Sequence, residues 1–308
     1  MLFSSRPGSR VLLLLCAMVT LCAAPPANAQ DHSDRPRDLG RIQDDELDEA
    51  SGLVAGRLNP GVLWVHNDSG DSARLFAIDL EGRTVARVTL KGAKSRDWED
   101  LAISSPGGQP TLYVGDIGDN QRQHDQIRVY RLPEPRLPAS STSGAPALLT
   151  IERFDEIVLT YPDGPRNAET LLIDAESGDV IIVTKGSTRP EVYRSPLPPA
   201  GNGRVVLRLV GRLSMDAIPF GDDEIEGGVG GDLSADGAFV LVKSYLRIYR
   251  WNWDGCADMP FVGEPESLPY VPEPQGEAVA ISVDGRTYFT LSERVGDRIP
   301  RLYAYDHP

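Results

Sequence analysis

The chain has 308 residues, a formal net charge of −14 and 41% hydrophobic residues. That acidic balance excludes a nucleic-acid partner or an anionic membrane surface, which need clustered Lys and Arg to release counterions, and makes a cation the natural guest. Of the three cysteines, Cys16 and Cys22 fall in an N-terminal leader and Cys256 is left alone. No intramolecular disulfide is therefore expected, and stability must come from burial.

Residues 1–29 read as a secretory signal peptide: Arg6 and Arg10 open it, Val11 to Cys22 is its apolar core, and Ala27-Asn28-Ala29 is a small-residue cleavage site. The apolar run is too short and wrongly flanked for a spanning helix, so no membrane span is expected and the protein is placed in a periplasm or outside the cell. A lipid anchor at Cys22 is disfavoured by the bulk of Leu21 before it. Cleavage removes Arg6 and Arg10 and no acid, so the mature chain is more acidic still. Residues 30–308 are long enough for one large domain, expected as a monomer.

In chain order, Asp38 to Ile42 offers one short alternating segment before a repeating pattern begins. An anchor, usually Glu, is followed four residues later by a branched apolar residue: Glu49 and Leu53, Glu99 and Ile103, Glu169 and Ile173, Val229 and Leu233, Glu277 and Ile281. A period near fifty residues built of short strands is the signature of radial repetition. The first unit reads as strands at Glu49 to Val54, Val62 to His66, Ala73 to Ile78 and Thr84 to Leu90, with Gly82 in the last hairpin. The second runs from Trp98-Glu99-Asp100 through Thr111 to Val114 and Ile127 to Leu132, and closes at Ile157 to Tyr161. Residues 133–149, rich in Pro, Ser and Ala, read as a surface insertion.

The third unit takes Glu169 onward, Val180 to Thr184, Glu191 to Arg194 and Val205 to Val210. The fourth starts near Val229, continues with Phe239 to Lys243 and Leu246 to Trp251, and ends in the Pro-rich stretch 260–274, which belongs on an edge. The fifth opens at Glu277, continues with Thr287 to Leu291 and Leu302 to Tyr305, and stops one strand short. The spare segment near Leu39 to Ile42 fills that gap and closes the ring. The expected fold is all-β: a five-bladed β-propeller of four-stranded antiparallel blades, with six blades as the alternative if the interval from 99 to 169 hides a degenerate unit.

Equivalent positions on innermost strands face a common axis, so Glu49, Glu99, Glu169 and Glu277 are expected to form one ring. Four carboxylates in a narrow channel cannot all stay ionised and unpaired, and protons or a cation must compensate. Hard oxygen ligands suit calcium, with Ser51 as a further oxygen, and the lack of a His and Cys cluster makes zinc a poor fit. The ordinary alternative is that each Glu bridges to Arg or Lys. At the ends of the second strands, Lys185, Lys243 and Arg294 are candidates to hold an anionic group, and Asp68, Asp116 and Glu293 to activate a metal-bound water. They read equally well as solvated rim charges. His66 lacks a Ser or Cys nucleophile to serve and is more often structural at a strand end. Trp98, Trp251 and Trp253 read as packing between blades, and Asn67-Asp68-Ser69-Gly70-Asp71 as a turn.

Glu99 followed by Leu112-Tyr113-Val114-Gly115, then Ala168-Glu169-Thr170, Val240-Leu241-Val242-Lys243-Ser244 and Gly276-Glu277, is similar to the soluble calcium-activated nucleotidase (apyrase) family. That resemblance implies a five-bladed propeller with a central calcium that hydrolyses nucleoside di- and triphosphates, with Glu99, Glu169 and Glu277 at metal-ligand positions. The chain departs where that family has Ser and this sequence has Glu49 and Val229, which puts the nucleotidase activity in doubt. Glu-x-Ser-Gly-Leu and Gln-Gly-Glu-Ala resemble more closely the exported bacterial phytase-like or esterase-like propellers. The leading expectation is a calcium-dependent phosphoester or ester hydrolase acting on an anionic small molecule. The alternative is a non-catalytic propeller that binds protein or glycan around a structural cation.

Overall fold

The computed structural model describes residues 35–138, 145–186, 189–216, 218–220, 223–225 and 227–307. The expected signal peptide lies outside these residues. Five sheets, antiparallel but for one added outer strand in each of two, carry nearly all the described secondary structure, and the lone helical turn among the described residues is Pro106–Gly108. Blade 1 starts from the inner strand Ala50–Ala55, blade 2 from Trp98–Ser104, blade 3 from Ala168–Ile173, blade 4 from Gly230–Leu233 and blade 5 from Ala278–Ile281. The fold is a five-bladed β-propeller, and the six-bladed alternative is excluded by the strand pairing.

The inner strands are buried along their whole length and have no solvent face. Five buried apolar clusters hold the blades, and each is shared by two neighbours. Leu53, Val65, Ala280 and Leu302 join blades 1 and 5, Trp64, Val88, Leu101 and Tyr130 join blades 1 and 2, and Ile157, Leu171 and Ile182 join blades 2 and 3. Val183, Leu213, Val240 and Trp251 join blades 3 and 4, and Leu241, Val279 and Tyr288 join blades 4 and 5. The core is therefore a ring of interfaces, and removing one blade exposes two of them.

Closure comes from the N-terminal strand Arg37–Arg41, which pairs antiparallel with Arg301–Asp306 as the outer strand of blade 5. Two outer edges differ from the expected pattern. Ala147–Ile151, in the stretch read as an insertion, lies parallel to Thr84–Leu90 and adds a fifth strand to blade 1. Its alternation is half-buried, with Leu148 exposed, so the apolar content is too modest to stand out beside the Pro and Ser around it. The segment expected as one strand at Val205 to Val210 divides at Leu207. Gly203–Val206 pairs parallel with Asp155–Thr160 of blade 2, and Arg208–Arg212 closes blade 3. The Pro-rich stretch after blade 4 contains the outer strand Phe261–Leu268, on an edge where missing amide donors are tolerated. Gly82 turns its hairpin at φ 76°, where a Cβ would meet the Arg41 carbonyl at 2.4 Å.

Candidate axial cation site

Inner strands of blades 2 and 3 carry a β-bulge near their first residues. Trp98 pairs with Asp116 and Asp100 with Gly115, which leaves Glu99 as the extra residue, and Glu169 stands in the same place between Ala168 and Thr170. A bulge re-aims the residue it inserts. Here it turns two carboxylates toward the axis, where Glu277, just before its inner strand, meets them. Oxygens of Glu99, Glu169 and Glu277, all three buried, lie within 4.8 Å of one another. The group extends outward through Asp68: one triad joins Asp68, Asp97 and Glu99, and another joins Asp68, Glu277 and Glu293.

Among the described residues, one ammonium answers this charge. Lys185 Nζ stands 2.5 Å from Glu169 Oε1 and 3.7 Å from Glu277 Oε1, and it donates to the Tyr245 hydroxyl at 3.0 Å, which donates in turn to Glu277 Oε1 at 2.7 Å. Glu169 Oε2 and Glu277 Oε2 are buried without a hydrogen-bond partner. Burial works against the charge on Lys185, but Glu169 and Glu277 outweigh it and the ammonium is held above its usual range. A single positive charge cannot neutralise the rest. Burial first, then repulsion from Glu169, Asp68 and Asp97, drives the Glu99 carboxyl well up. Burial raises Glu169 as well, with Glu277 adding to it against the pull of Lys185. At the mouth, burial and neighbouring acids push Asp68 to about 6 and Glu293 to about 8.

Carboxylate oxygens are what hard cations take, calcium with six to eight of them at about 2.3–2.6 Å and magnesium in a stricter octahedron at about 2.0–2.1 Å. The donor set is oxygen throughout, and no cluster of His or Cys joins it among the described residues. The residues present therefore fit a hard, oxygen-seeking cation.

Glu49 stands apart from this group. It is exposed, precedes its strand, and donates its amide to Asn67 Oδ1 at 3.2 Å, and its carboxyl is raised by partial burial and by Asp48 and Asp71. The bulge of blade 1 falls between Ala50 and Leu53, so Ser51 occupies the place that Glu99 and Glu169 take in theirs, with its hydroxyl on the Glu99 carbonyl at 2.5 Å. The expected ring of four Glu is a ring of three with a serine. The offset has a simple origin: apolar residues recur every second position, at Leu101 and Ile103 and at Leu171 and Ile173, so a spacing counted from one of them can slip by two without breaking the pattern. Among the described residues, blade 4 contributes no carboxylate at the ring. Val229 is buried, and at Gly230 a Cβ would meet the Glu277 carbonyl at 2.7 Å.

The remaining candidates divide. Asp68 and Glu293 belong to the mouth of the cluster. Asp116 does not: it is fully buried and its Oδ1 accepts from the amides of Arg96 (3.2 Å) and Asp97 (2.8 Å), as Asn67 does for Glu49. Lys243 is fully buried, its ammonium on the carbonyls of Gly276 and Ser244 and 4.5 Å from the centre of the Tyr270 ring, and burial lowers it to about 8. It holds the backbone next to Glu277 rather than facing the mouth. Arg294 turns aside to Asp45 at 2.8 Å. His66 is buried with its Nδ1–H on the Asn67 carbonyl at 2.7 Å and its ring edge-on to Trp98.

Three groups escaped the sequence pattern. Asp100 is fully buried and accepts from the amides of Leu101 and of Leu171 in the next blade, both at 2.8 Å. Asp232 does the same for Leu233 (2.9 Å) and Ile281 (2.8 Å). Their only signal was an acid inside an apolar strand. Tyr245, which orients Glu277, had none.

No protein-family model matches the chain, and no curated protein matches it. Among solved structures, a chain of a nidogen/laminin complex has 14% identity and a TM-score of 0.43, covering 82% of this chain and 74% of that one. An auxiliary nutrient binding protein from Bacteroides thetaiotaomicron has 12% identity and a TM-score of 0.43, covering 79% of this chain and 52% of that one. This chain thus spans about half the length of the second. Likenesses this distant say nothing of ligand or activity, and the fold rests on the strand pairing within the chain itself.

Proposed function

We propose that the protein is an exported propeller that binds a calcium ion on its axis through Glu99, Glu169 and Glu277, and that the loaded mouth holds an anionic small molecule. The observation that supports this is that Glu99, Glu169 and Glu277 bring carboxylate oxygens within 4.8 Å of one another while Glu169 Oε2 and Glu277 Oε2 are buried without a hydrogen-bond partner. Buried carboxylate oxygens without a donor are costly to leave so, and a divalent cation supplies what one lysine does not. When bound, the ion would offer an open face to an anionic ligand.

Binding is the first reading because only Lys185 of the three expected cationic groups reaches the cluster. Hydrolysis of a phosphate-bearing or other ester substrate is the second. The position of Asp68 and Glu293 beside Glu277 favours it, since carboxyls raised toward neutrality suit general-base work.

Calcium titration of the metal-stripped protein, followed by its melting temperature, tests the proposal. A ligand at a hundred times its Kd adds about 2.7 kcal/mol, a rise of roughly 5–10 °C for a domain of this size. Glu99→Gln and Glu277→Gln are expected to abolish the rise. No shift in the wild type, or an equal shift in both variants, would overturn the axial site. A phosphatase and esterase panel on the calcium-loaded protein separates the two readings: turnover lost in Asp68→Asn favours hydrolysis, and its absence favours binding.

A further inference from the structure

Beside the axis, on the same face of the ring, lies a cavity of about 390 Å³ whose lining is basic although the protein is strongly acidic. Arg122, Arg166, Lys185, Arg189 and Arg212 line it, and Glu191 is the one acid there among the described residues. Glu191 is divided between two guanidiniums: Oε2 accepts from Arg166 Nε at 2.8 Å and Oε1 from Arg212 at 2.5 Å. Its charge therefore leaves the pocket positive. Asp163 takes another nitrogen of Arg166 at 2.6 Å from outside the lining, which fixes that side chain in place.

Arg122 is the least compensated member. It is exposed and has no ion-pair partner among the described residues. Its backbone sits at φ 52°, a left-handed conformation that only one other non-glycine residue, Gln275, adopts among those described. A glycine would fit there without strain. The loop is nonetheless built to hold it: buried Asp119 accepts from the amides of Gln123 (2.9 Å) and His124 (2.7 Å), the Arg122 amide donates to the Asp119 carbonyl at 2.9 Å, and Asn167 ties Asp119 to blade 3 at 2.8 Å.

We infer that this cavity is the subsite for a phosphoryl group of the anionic ligand, with Arg122 and Arg212 as its forked donors. Guanidinium groups match the geometry of phosphate oxygens and donate in pairs. Lys185 belongs to both places, lining the cavity and touching Glu169 and Glu277. A cation entering the carboxylate cluster competes with that ammonium and frees it for the cavity. A ligand with its phosphoryl group among the arginines would thus lie with its remainder against the axis. This inference deepens the reading of an anionic guest, but the subsite stands on its own arginines and needs no calcium.

Isothermal titration with pyrophosphate in metal-free buffer tests it on the full-length mature protein. Pyrophosphate is expected to bind the wild type at least tenfold more tightly than succinate. Arg122→Gln and Arg212→Gln should each weaken binding about tenfold or more, as loss of a charge-assisted pair does. Arg122→Gln alters an exposed, unpaired side chain, so its fold is expected intact and circular dichroism checks this. Glu277→Gln, which removes the axial ligand, should leave metal-free pyrophosphate binding in place. No binding by the wild type, equal binding by Arg122→Gln, or no preference over succinate would overturn the subsite. Failure of calcium binding with pyrophosphate binding retained would overturn the axial reading alone.

Discussion

At the scale of single residues, burial decides which charges are available for chemistry. His66 shows this outside the cluster. Burial holds its imidazole down at about 4 against an ordinary 6.5, so the folded state binds fewer protons than the unfolded one between those values. Stability contributed by the neutral ring is complete above about 6.5 and is lost as pH falls toward 4, to the extent of about 3 kcal/mol. Urea unfolding of wild type and His66→Gln across that range is expected to give curves that converge toward pH 4, the wild type losing stability faster. A constant gap would show that His66 does not titrate in the fold. The same scale marks the limit of reading the chain alone. Glu99, Glu169 and Glu277 were legible because they recur. Glu49 was misplaced because a period of two cannot fix an offset of two, and Lys243 because a lysine's length hides whether it reaches outward or back to a carbonyl.

At the scale of elements, the inner strands do more than line the axis. Asp100 and Asp232 each use one carboxylate to satisfy an amide on their own strand and another on the next blade. They act as struts between blades that share no strand pairing. Asp232→Ala leaves the Leu233 and Ile281 amides buried and unanswered, an expected loss of about 2–4 kcal/mol by denaturant unfolding. Asp236→Ala, in the exposed turn a few residues on, should cost under about 1 kcal/mol. Equal losses would remove the struts' special role. Strands were readable from their β-branched and aromatic runs, with turns at Gly82, Gly237 and Gly285, all at positive φ. Outer strands such as Ala147–Ile151 and Gly203–Val206 were not. They are half-buried, short and borrowed by the preceding blade, so nothing local distinguishes them from loop.

At the scale of the whole molecule, five interface cores in a circle make stability a property of closure. Arg37–Arg41 supplies the last strand, with Ile42 buried behind it and Leu39 packed against the cluster shared by blades 1 and 5. A chain beginning at Gln43 loses those contacts and exposes the edge of Arg301–Asp306. Ile42 and Leu39 alone account for roughly 3 kcal/mol, so a fall in melting temperature near 10 °C is expected, with aggregation through the bared strand. An unchanged melting temperature would mean the ring holds without its clasp. The leftover segment and the strand missing from the fifth unit made closure readable from the chain, since both were counted in the same repeat.

That clasp has a mechanical character as well. Arg37 pairs with Ala304 and Arg41 with Arg301, so the two chain ends of the ring leave from the same end of one ladder, joined there by the Arg37–Asp306 ion pair at 3.1 Å. Tension applied between residues 37 and 306 peels the ladder pair by pair instead of shearing all its bonds at once. A ring that resists heat collectively is thus soft to a pull across its seam, whereas a tether at one end alone puts no load on it.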